Sequence, residues 1–316
     1  MWRRNRGLRG PERPTLEDID PLNKIFSSAF TDRYRRDGMP GVRVPHLNYD
    51  VWRFALESAG KGAMLWRDHA GDIAAFNLAH LSGSEGWMGP LAVRPDRQGE
   101  GLGKVIVLAG VDWLKAKGAR TIGLETMPRT VENIGFYSRL GFLPGHLTIT
   151  LARVPESGPT VGCTRLSRDG GVDAVAECAE LGGAVAPGIS FDREIRLTAE
   201  LGVGDTTLYR RDGTLAAFAV WHAVPLAHGR PREDVRVLKL VAVDVPAMQA
   251  VLAGIEAVAE EEGVERVTVR CQSGQAEAYR GLITAGWESH WTDLRMSLGG
   301  YPEQPLSGVL FSNWEI

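Results

Sequence analysis

The chain repeats part of its own sequence, and this repetition limits the folds that it can adopt. Residues 65–78 reappear in similar form as residues 208–220. Each segment has an alternating run typical of a β-strand, a polar turn that contains Gly71 or Gly213, and a second run rich in small and β-branched residues. Each segment therefore predicts a β-hairpin, and the same hairpin is expected twice.

Two further similarities occur in the same order along the chain. Residues 118–126 resemble residues 263–271, in each case a glycine that ends a helix followed by a strand. Residues 140–142 resemble residues 285–287. Three matches in one order favour a duplication of about 145 residues over a chance likeness between two unrelated α/β domains. At 316 residues the chain is also long enough for two hydrophobic cores.

The duplication predicts the domain organisation. Residues 155–159, which include two prolines, a serine and a glycine, are typical of a linker. Residues 308–316 are too apolar for a free end, so they are expected to dock on a domain or on a neighbouring chain. The expected units are a basic tail at 1–14, a first domain at 15–155, a second domain at 160–300 and a docking tail at 301–316.

Hydrophobic periodicity predicts the elements of the first domain. The expected helices cover residues 15–30, 50–58, 101–117 and 131–140, and the expected strands cover 62–67, 73–80, 86–93, 120–126 and 145–152. This order indicates an α/β (α+β) fold in which helices flank a mixed, mainly antiparallel sheet. Two such domains are expected in tandem, and the sheet should split in its middle around a ligand.

Composition argues against several classes of protein. Apolar residues make up 44% of the chain and charged residues 24%, and a net charge of −3 gives no electrostatic reason to expect nucleic acid. No run of 18 apolar residues predicts a membrane span, and the basic start has no apolar stretch typical of a signal peptide. Three widely spaced cysteines suggest neither a disulfide framework nor a zinc site. A cytoplasmic protein without a metal, nucleic-acid or membrane partner is expected.

A glycine-rich segment, residues 90–104, joins an apolar strand to an apolar helix. Such a junction directs free backbone N–H groups and the positive end of the helix dipole at the loop, which makes the loop an anion site. Gly99, Gly101 and Gly103 carry no side chains there, so a pyrophosphate can approach the backbone closely. Basic side chains at both ends of the loop can supply positive charge.

The two commonest phosphate-binding loops do not fit this segment. A P-loop needs a glycine five residues before its glycine–lysine pair and a serine or threonine after it, but those positions hold Gln98 and Val105. A dinucleotide-binding loop needs a third glycine where the chain has Lys104 or Ile106. Neither nucleotide-binding fold is supported.

The loop does resemble the signature of an acetyltransferase family. The run Gln98-Gly-Glu-Gly101-Leu-Gly103, directly after an apolar strand, is similar to the Gln/Arg-x-x-Gly-x-Gly/Ala motif of the GNAT superfamily of N-acetyltransferases. Residues 133–142 resemble the second motif of that family at the usual distance. The resemblance covers about residues 15–155. It implies that acetyl-CoA is the co-substrate and that a primary amine of a small molecule or peptide accepts the acetyl group by direct transfer.

The resemblance also implies which residues bind the co-substrate. Backbone groups at the end of the strand would hold the pantetheine arm, the loop would hold the pyrophosphate, and an asparagine would contact the ligand from the opposite side. These residues are Leu91, Ala92, Val93, Arg97, Gln98, Gly99, Glu100, Gly101, Leu102, Gly103, Lys104 and Asn133.

Two catalytic residues are expected in the first copy. Tyr137 matches the position at which the family places a tyrosine beside the sulfur, and a phenol with a reference pKa of about 10 can protonate the departing thiolate. Glu125, on the strand after the pyrophosphate helix, is the expected general base, and an outward-facing surface glutamate is the alternative. His46 or Asp50, in the region that builds the acceptor pocket, could take its place.

The second copy is expected to be inactive. In the first copy, 25 positions separate Val93 of the strand from Gly118 after the helix. In the second copy, 20 positions separate Val243 from Gly263, so it lacks five residues where the pyrophosphate loop belongs. Ala278 stands opposite Asn133, and Leu282 stands opposite Tyr137. The second copy could still wall off the acceptor site, form the surface of a homodimer or bind a regulator.

Two other functions stay open from the sequence. The first copy could bind acetyl-CoA as a non-catalytic sensor that reports through the second copy. The tandem architecture is also similar to mycothiol synthase, although that family keeps the competent site in its second half, the reverse of the arrangement here. The intact Tyr137 favours catalysis.

Overall fold

A computed structural model describes residues 8–156, 160–169, 171 and 173–314. The helices are α1 (Ile19–Arg36), α2 (Tyr49–Ala59), α3 (Leu102–Ala116), α4 (Val131–Arg139), α5 (Leu166–Asp169), α6 (Ala174–Val185), α7 (Asp192–Leu201), α8 (Val245–Glu261) and α9 (Ala276–Thr284). The strands are β1 (Arg9–Glu12), β2 (Ala63–Arg67), β3 (Ile73–Ser82), β4 (Glu85–Val93), β5 (Thr121–Thr126), β6 (Phe142–Arg153), β7 (Cys163–Arg165), β8 (Gly204–Arg211), β9 (Thr214–His222), β10 (Asp234–Ala242), β11 (Arg266–Gln272), β12 (Glu288–Leu298) and β13 (Val309–Ser312).

Every helix and strand predicted for the first copy is present close to its predicted place. The largest difference is the end of α1, which continues to Arg36 instead of stopping near residue 30. Ion pairs one turn apart support the extra turns, with 2.6 Å between Arg33 and Asp37 and 2.6 Å between Arg36 and Asp32. Charged pairs of this kind extend a helix beyond its apolar stripe, which periodicity alone does not register.

Part of the predicted basic tail belongs to the sheet. Residues 9–12 form β1, which pairs antiparallel with β2 at the sheet edge. The side chain of Arg67 donates to the Glu12 carboxylate at 3.1 Å. The prediction of a basic tail is therefore wrong for residues 9–12, because they pair with the backbone groups that the edge of β2 offers. Residues 1–7 of the predicted tail lie outside the described residues.

The described strands form one continuous sheet of 13 strands in the order β1-β2-β3-β4-β5-β12-β6-β11-β10-β9-β8-β7, with β13 also paired to β10. Strands β4 and β5 are parallel, as are β10 and β11, and the other pairs are antiparallel. Parallel neighbours need a crossover connection, which α3 provides in the first copy and α8 in the second. The predicted fold class, a mixed and mainly antiparallel sheet flanked by helices in each of two copies, is confirmed.

The two copies exchange their long closing strands. β12, from the second copy, lies between β5 and β6, and β6, from the first copy, lies between β12 and β11. Leu294–Ser297 of β12 pairs with Gly123–Thr126 of β5. A segment of the second copy therefore completes the sheet of the first copy, and its side chains reach the first copy's central strands.

Helices cover the sheet and enclose its cores. In the first copy, Trp52 of α2 packs against Phe76 of β3 with ring centroids 5.7 Å apart, and both side chains are fully buried. In the second copy, Met248 and Ile255 of α8 are fully buried against the sheet. Burial of each such side chain contributes about 1.5 to 3 kcal/mol. Within the described ranges, no helix is long and apolar enough to cross a membrane, and no cluster of three His, Cys, Asp or Glu side chains could hold a metal.

The end of the chain is built into the fold. Its strand β13 pairs antiparallel with β10. The buried ammonium of Lys239 donates to Ser312 Oγ at 2.9 Å and to the Asn313 carbonyl at 2.7 Å. Trp314 follows and is only 1% exposed. Backbone pairing and a buried charge thus hold the tail up to residue 314, and residues 315–316 lie outside the described residues.

Candidate active site

The candidate site lies where β4 and β5 separate. Their parallel pairing ends at Met88 and Leu124. A bulge follows in β4, because Met88 pairs with Ala79 of β3 while Leu91 pairs with Asn77, so that two residues of β4 oppose one of β3. Beyond the bulge a cleft of about 1000 Å³ opens beside β4. All the predicted co-substrate residues line this cleft except Glu100.

The helix that follows the glycine-rich loop begins without a side-chain cap. Its N-cap residue, Gly101, has a φ of 85°, in the left-handed region that favours glycine, and a Cβ there would meet no atom within 4 Å. No side chain of the described residues caps α3, so its first N–H groups are available to an anion. Gly103 serves packing, because a Cβ there would lie 3.2 Å from the ring of Phe136 in α4.

Side chains within the loop hold its shape. Arg97 forms ion pairs with Glu100 at 2.9 Å and with Asp68 at 3.6 Å. Gln98 donates to a carbonyl at the end of β4 at 3.2 Å. Both residues line the cleft, as does Lys104 in the first turn of α3. Positive charge and backbone donors therefore surround the point where the cleft meets the helix.

Helix α4 forms the opposite wall. The Asn133 side chain donates to Thr126 Oγ1 at 3.3 Å. The ring of Tyr137 is 6% exposed and lies 5.1 Å from the ring of Phe136 and 6.1 Å from that of Phe142. Burial raises the pKa of Tyr137, so the phenol stays protonated at neutral pH. Tyr137 thus lies at the wall of the cleft with its phenol protonated.

The carboxylate of Glu125 is fully engaged at the cleft. Its Oε1 accepts hydrogen bonds from Thr148 at 2.6 Å and from Arg295 at 3.0 Å, and its Oε2 accepts from Arg270 at 2.5 Å. Burial alone would raise the pKa of Glu125, but the two arginines outweigh burial and lower it. A carboxylate whose pKa is lowered is a weak base and therefore a poor proton acceptor. The surroundings of Glu125 therefore do not favour the predicted role as general base.

Residues of the second copy and of the tail complete the cleft, and the sequence did not identify them. Trp291 and Asp293 come from β12, and Trp314 comes from the tail; all three line the cleft with Tyr137 and Glu125. They reach it only because β12 is exchanged and the tail is docked, and no motif or spacing in the sequence marks either event. The sequence suggested that the second copy could wall off the acceptor site. The position of these side chains in the cleft wall agrees with that role.

The other residues predicted for the acceptor pocket lie away from the reacting centre. His46 is exposed, and neither His46 nor Asp50 is among the residues that line the cleft. The Asn48 side chain accepts the backbone N–H of Asp50 at 2.9 Å where α2 begins. Arg33 does line the cleft, but it is paired with Glu132 at 2.5 Å. This ion pair joins α1 to α4 at the rim, so Arg33 supports the shape of the cleft.

The corresponding region of the second copy is filled by the chain itself. The parallel pairing of β10 with β11 ends at Arg236 and Thr268, and β13 takes the edge of β10 beyond that point. The N-cap carboxylate of α8, Asp244, accepts the N–H of Ala247 at 2.8 Å. The carboxylate therefore already occupies an N–H group that an anion would otherwise bind. Leu282, at the position of the first copy's tyrosine, is fully buried in the core.

The separated strands and the glycine-led helix agree with the resemblance to GNAT acetyltransferases. Residues 22–142 match the profile described as "Acetyltransferase (GNAT) family", and this range contains the loop, the cleft-lining strands and Tyr137. Over residues 22–142 the first copy therefore matches a GNAT acetyltransferase domain. The second half of the chain carries a further copy of the same order of strands and helices.

Two curated relatives are both named as acetyltransferases, and their names give different acceptors. The putative [ribosomal protein bS18]-alanine N-acetyltransferase of Bacillus subtilis (strain 168) is 26% identical over 132 residues, which are 41% of this chain and 78% of that protein. The mycothiol acetyltransferase of Rhodococcus opacus (strain B4) is 30% identical over 166 residues, which are 47% of this chain and 54% of that protein. The match thus spans about half the length of the mycothiol enzyme.

A solved structure shares the fold of the whole chain. The putative acetyltransferase from Pyrococcus horikoshii superposes on 98% of this chain and 95% of its own length, with a TM-score of 0.69 and 14% identity. At this identity the likeness concerns the fold alone. Because it extends over both copies, the arrangement of the two halves is shared as well.

Proposed function

We propose that the protein is an N-acetyltransferase that transfers an acetyl group from acetyl-CoA directly to a primary amine in a ternary complex. The observation that carries this proposal is the meeting of three features in one cleft: the uncapped start of α3, the edge of β4 beyond its bulge, and Tyr137. The first suits a pyrophosphate, the second an extended amide-containing arm, and the third a departing thiolate.

The cleft suits the size and chemistry of acetyl-CoA. A volume of about 1000 Å³ lies at the upper end of ordinary ligand pockets, as a long ligand needs. The backbone is open at Gly99 and Gly101, where an added Cβ would meet no atom within 4 Å. The residues proposed for the pyrophosphate therefore follow one another from Arg97 to Lys104, and those proposed for the pantetheine arm run from Leu91 to Val93.

Direct transfer asks the protein to stabilise an oxyanion and to supply a proton. A backbone N–H of β4 beyond the bulge would donate to the thioester carbonyl oxygen as negative charge develops there. Tyr137 would give its hydroxyl proton to the sulfur as the carbon–sulfur bond breaks, and it would recover a proton from solvent. Asn133, on the same helix, would fix the ligand from the other wall.

Glu125 stays a predicted catalytic residue, and its surroundings favour an electrostatic contribution. As an ionised carboxylate it holds Arg270 and Arg295 in place at the cleft wall. Loss of this charge would leave two arginines without a shared partner in a buried position, which is costly. We therefore propose that Glu125 organises the site and that the proton of the amine goes elsewhere.

The walls of the acceptor side favour an amine with an apolar body. Phe26, Phe30 and Tyr34 of α1 line the cleft opposite Trp291 of β12. The relatives are named for a ribosomal-protein alanine and for mycothiol. Peptides that begin with alanine, aromatic amines such as tyramine, and cysteinyl sugar amines therefore form the acceptor panel for the first assay.

The test is the release of free thiol from acetyl-CoA by the purified full-length protein, with the acetylated amine identified by mass spectrometry. We expect at least one amine of the panel to raise thiol release well above the rate in buffer and to gain one acetyl group. If the protein binds acetyl-CoA but no amine is acetylated, a sensor that binds without turnover would explain the site better.

A further inference from the structure

We propose that Asp293, from the exchanged strand of the second copy, is the proton acceptor for the amine in the active site of the first copy. The inference rests on the proposed function, because the site needs a proton acceptor only if an amine is acetylated there. It assigns a catalytic residue to the half of the chain that has no co-substrate loop of its own.

The position of Asp293 fits this role. Its carboxylate lines the cleft that also contains Tyr137, and the residue is 3% exposed. β12 places it opposite Thr148 of β6, two residues from Arg295. Trp291 lies two residues earlier on the same strand, and its ring contacts that of Tyr34 with ring centroids 6.1 Å apart. Asp293 therefore lies in the wall of the cleft beneath two aromatic side chains of the acceptor side.

Two carboxylates at this wall, those of Glu125 and Asp293, accept different numbers of hydrogen bonds. Arg270 donates to both, at 2.5 Å to Glu125 and at 3.0 Å to Asp293. Glu125 has the additional support of Thr148 and Arg295. Asp293 has one further contact, the indole N–H of Trp291 at a long 3.4 Å. Among the described residues, Asp293 thus accepts fewer and longer hydrogen bonds than Glu125, so its carboxylate keeps lone-pair capacity for a ligand.

The charges around the two carboxylates separate their proton affinities. Burial raises the pKa of Asp293; Arg270 offsets part of this effect, and the negative Glu125 adds to it. The pKa of Glu125 is lowered. Among the described residues, the charged groups that bear on Asp293 are Arg270 from β11 and Glu125 from β5. Strand β6 presents the neutral Thr148, and the next charge along β12 is Arg295. When two neighbouring carboxyl groups have different pKa values, they commonly serve different roles in catalysis, and the group with the higher pKa is the stronger base.

The proposed step balances in protons and electrons. Asp293 takes a proton from the ammonium group, and the freed lone pair of the nitrogen forms the bond to the acetyl carbon. The carbon–sulfur bond breaks with its electron pair on sulfur, and Tyr137 gives its proton to that sulfur. The nitrogen releases a second proton, which restores Tyr137 through solvent, and Asp293 returns its own proton to water. The products are the amide and free coenzyme A.

The kinetic test compares Asp293→Asn with Glu303→Gln. Both changes remove a carboxylate that contacts a buried arginine: Glu303 bonds Arg295 at 2.6 Å but does not line this cleft. With the best amine of the panel, we expect Asp293→Asn to lower kcat about 100-fold or more, as loss of a general base does, with little change in the KM for acetyl-CoA. Glu303→Gln should keep the wild-type kcat.

The pH profile gives a readout that a merely structural residue would not change. The wild-type rate should fall as the pH drops through the pKa of Asp293, because only the ionised carboxylate accepts a proton. The Asn variant should lack this acidic limb, and Glu303→Gln should retain it. An Asn variant that keeps both its rate and the limb, while binding acetyl-CoA normally, overturns the proposal.

A second measurement needs no acceptor and separates the two proposals. Infrared difference spectra of the protein against Asp293→Asn, recorded across pH, should show a protonated carboxyl group that persists above the ordinary aspartate pKa of about 4. If Asp293 titrates at or below that ordinary pKa, it is too weak a base for the proposed step, and the inference fails whatever the enzyme does. If the infrared signal is present but no amine of the panel reacts, the proposed function fails on its own.

Discussion

Replacing Tyr137 by phenylalanine is expected to lower kcat by about 100-fold to 10,000-fold, the range for loss of a general acid, while acetyl-CoA still binds. The hydroxyl is the group that protonates the departing sulfur, whereas the ring packs between Phe136 and Phe142 and is kept in the variant. Burial raises the pKa of Tyr137, so its proton is present throughout the neutral range. The variant should therefore have a lower rate, and the fall of its rate at acidic pH should occur at the same pH as in the wild type.

The matched control for this variant is Tyr301→Phe. Tyr301 is a partly buried tyrosine outside the cleft, with the ammonium of Lys115 lying 5.2 Å from its ring. Removal of that hydroxyl should leave kcat and the affinity for acetyl-CoA unchanged. A Tyr137→Phe enzyme with the wild-type kcat, measured by thiol release with the best amine, would remove Tyr137 from the mechanism.

Replacing Gly101 by aspartate is expected to weaken acetyl-CoA binding at least about 100-fold more than replacing it by asparagine. Both side chains meet open space and need the same left-handed backbone, which Asn and Asp tolerate better than most residues. Only aspartate places a negative charge where the pyrophosphate is proposed to lie. Two like charges about 4 Å apart near a protein surface repel by roughly 4 kcal/mol, so the difference in affinity should be large.

A difference in folding stability is not expected to explain the difference in affinity between the two variants. A carboxylate at a helix N-cap is favourable to the helix, so Gly101→Asp should melt at the same temperature as Gly101→Asn or slightly above it. In the second copy an aspartate, Asp244, caps α8 from an extended backbone. Equal dissociation constants for the two variants, measured by calorimetry, would contradict a phosphate site at the start of α3.

The phosphate loop could be predicted from sequence because its determinants are local. Gly99 and Gly101 have φ values of 81° and 85°, which other residues rarely adopt, and the strand before them and the helix after them have clear periodicity. Tyr137 follows in the same copy within a second motif. Each of these features is specified by residues close together in the chain.

The acceptor side could not be predicted in the same way because it depends on which strand pairs with which. β6 and β12 are corresponding strands with similar patterns, so either could lie beside β5, and periodicity does not distinguish the two arrangements. The exchange brings Arg295 opposite Glu125 and converts a predicted base into the partner of two arginines. Charged residues at inward positions of β12, such as Asp293, were the available signal that this strand meets other charges.

The number of acetyl-CoA molecules bound per chain tests the central claim most directly. The first copy has an uncapped helix beside an open cleft, and in the second copy Asp244 caps the helix and β13 covers the strand edge. Calorimetric titration of the full-length protein should therefore give one equivalent, which Gly101→Asp removes. Two equivalents, no binding, or binding that survives Gly101→Asp unchanged would contradict a single co-substrate site in the first copy.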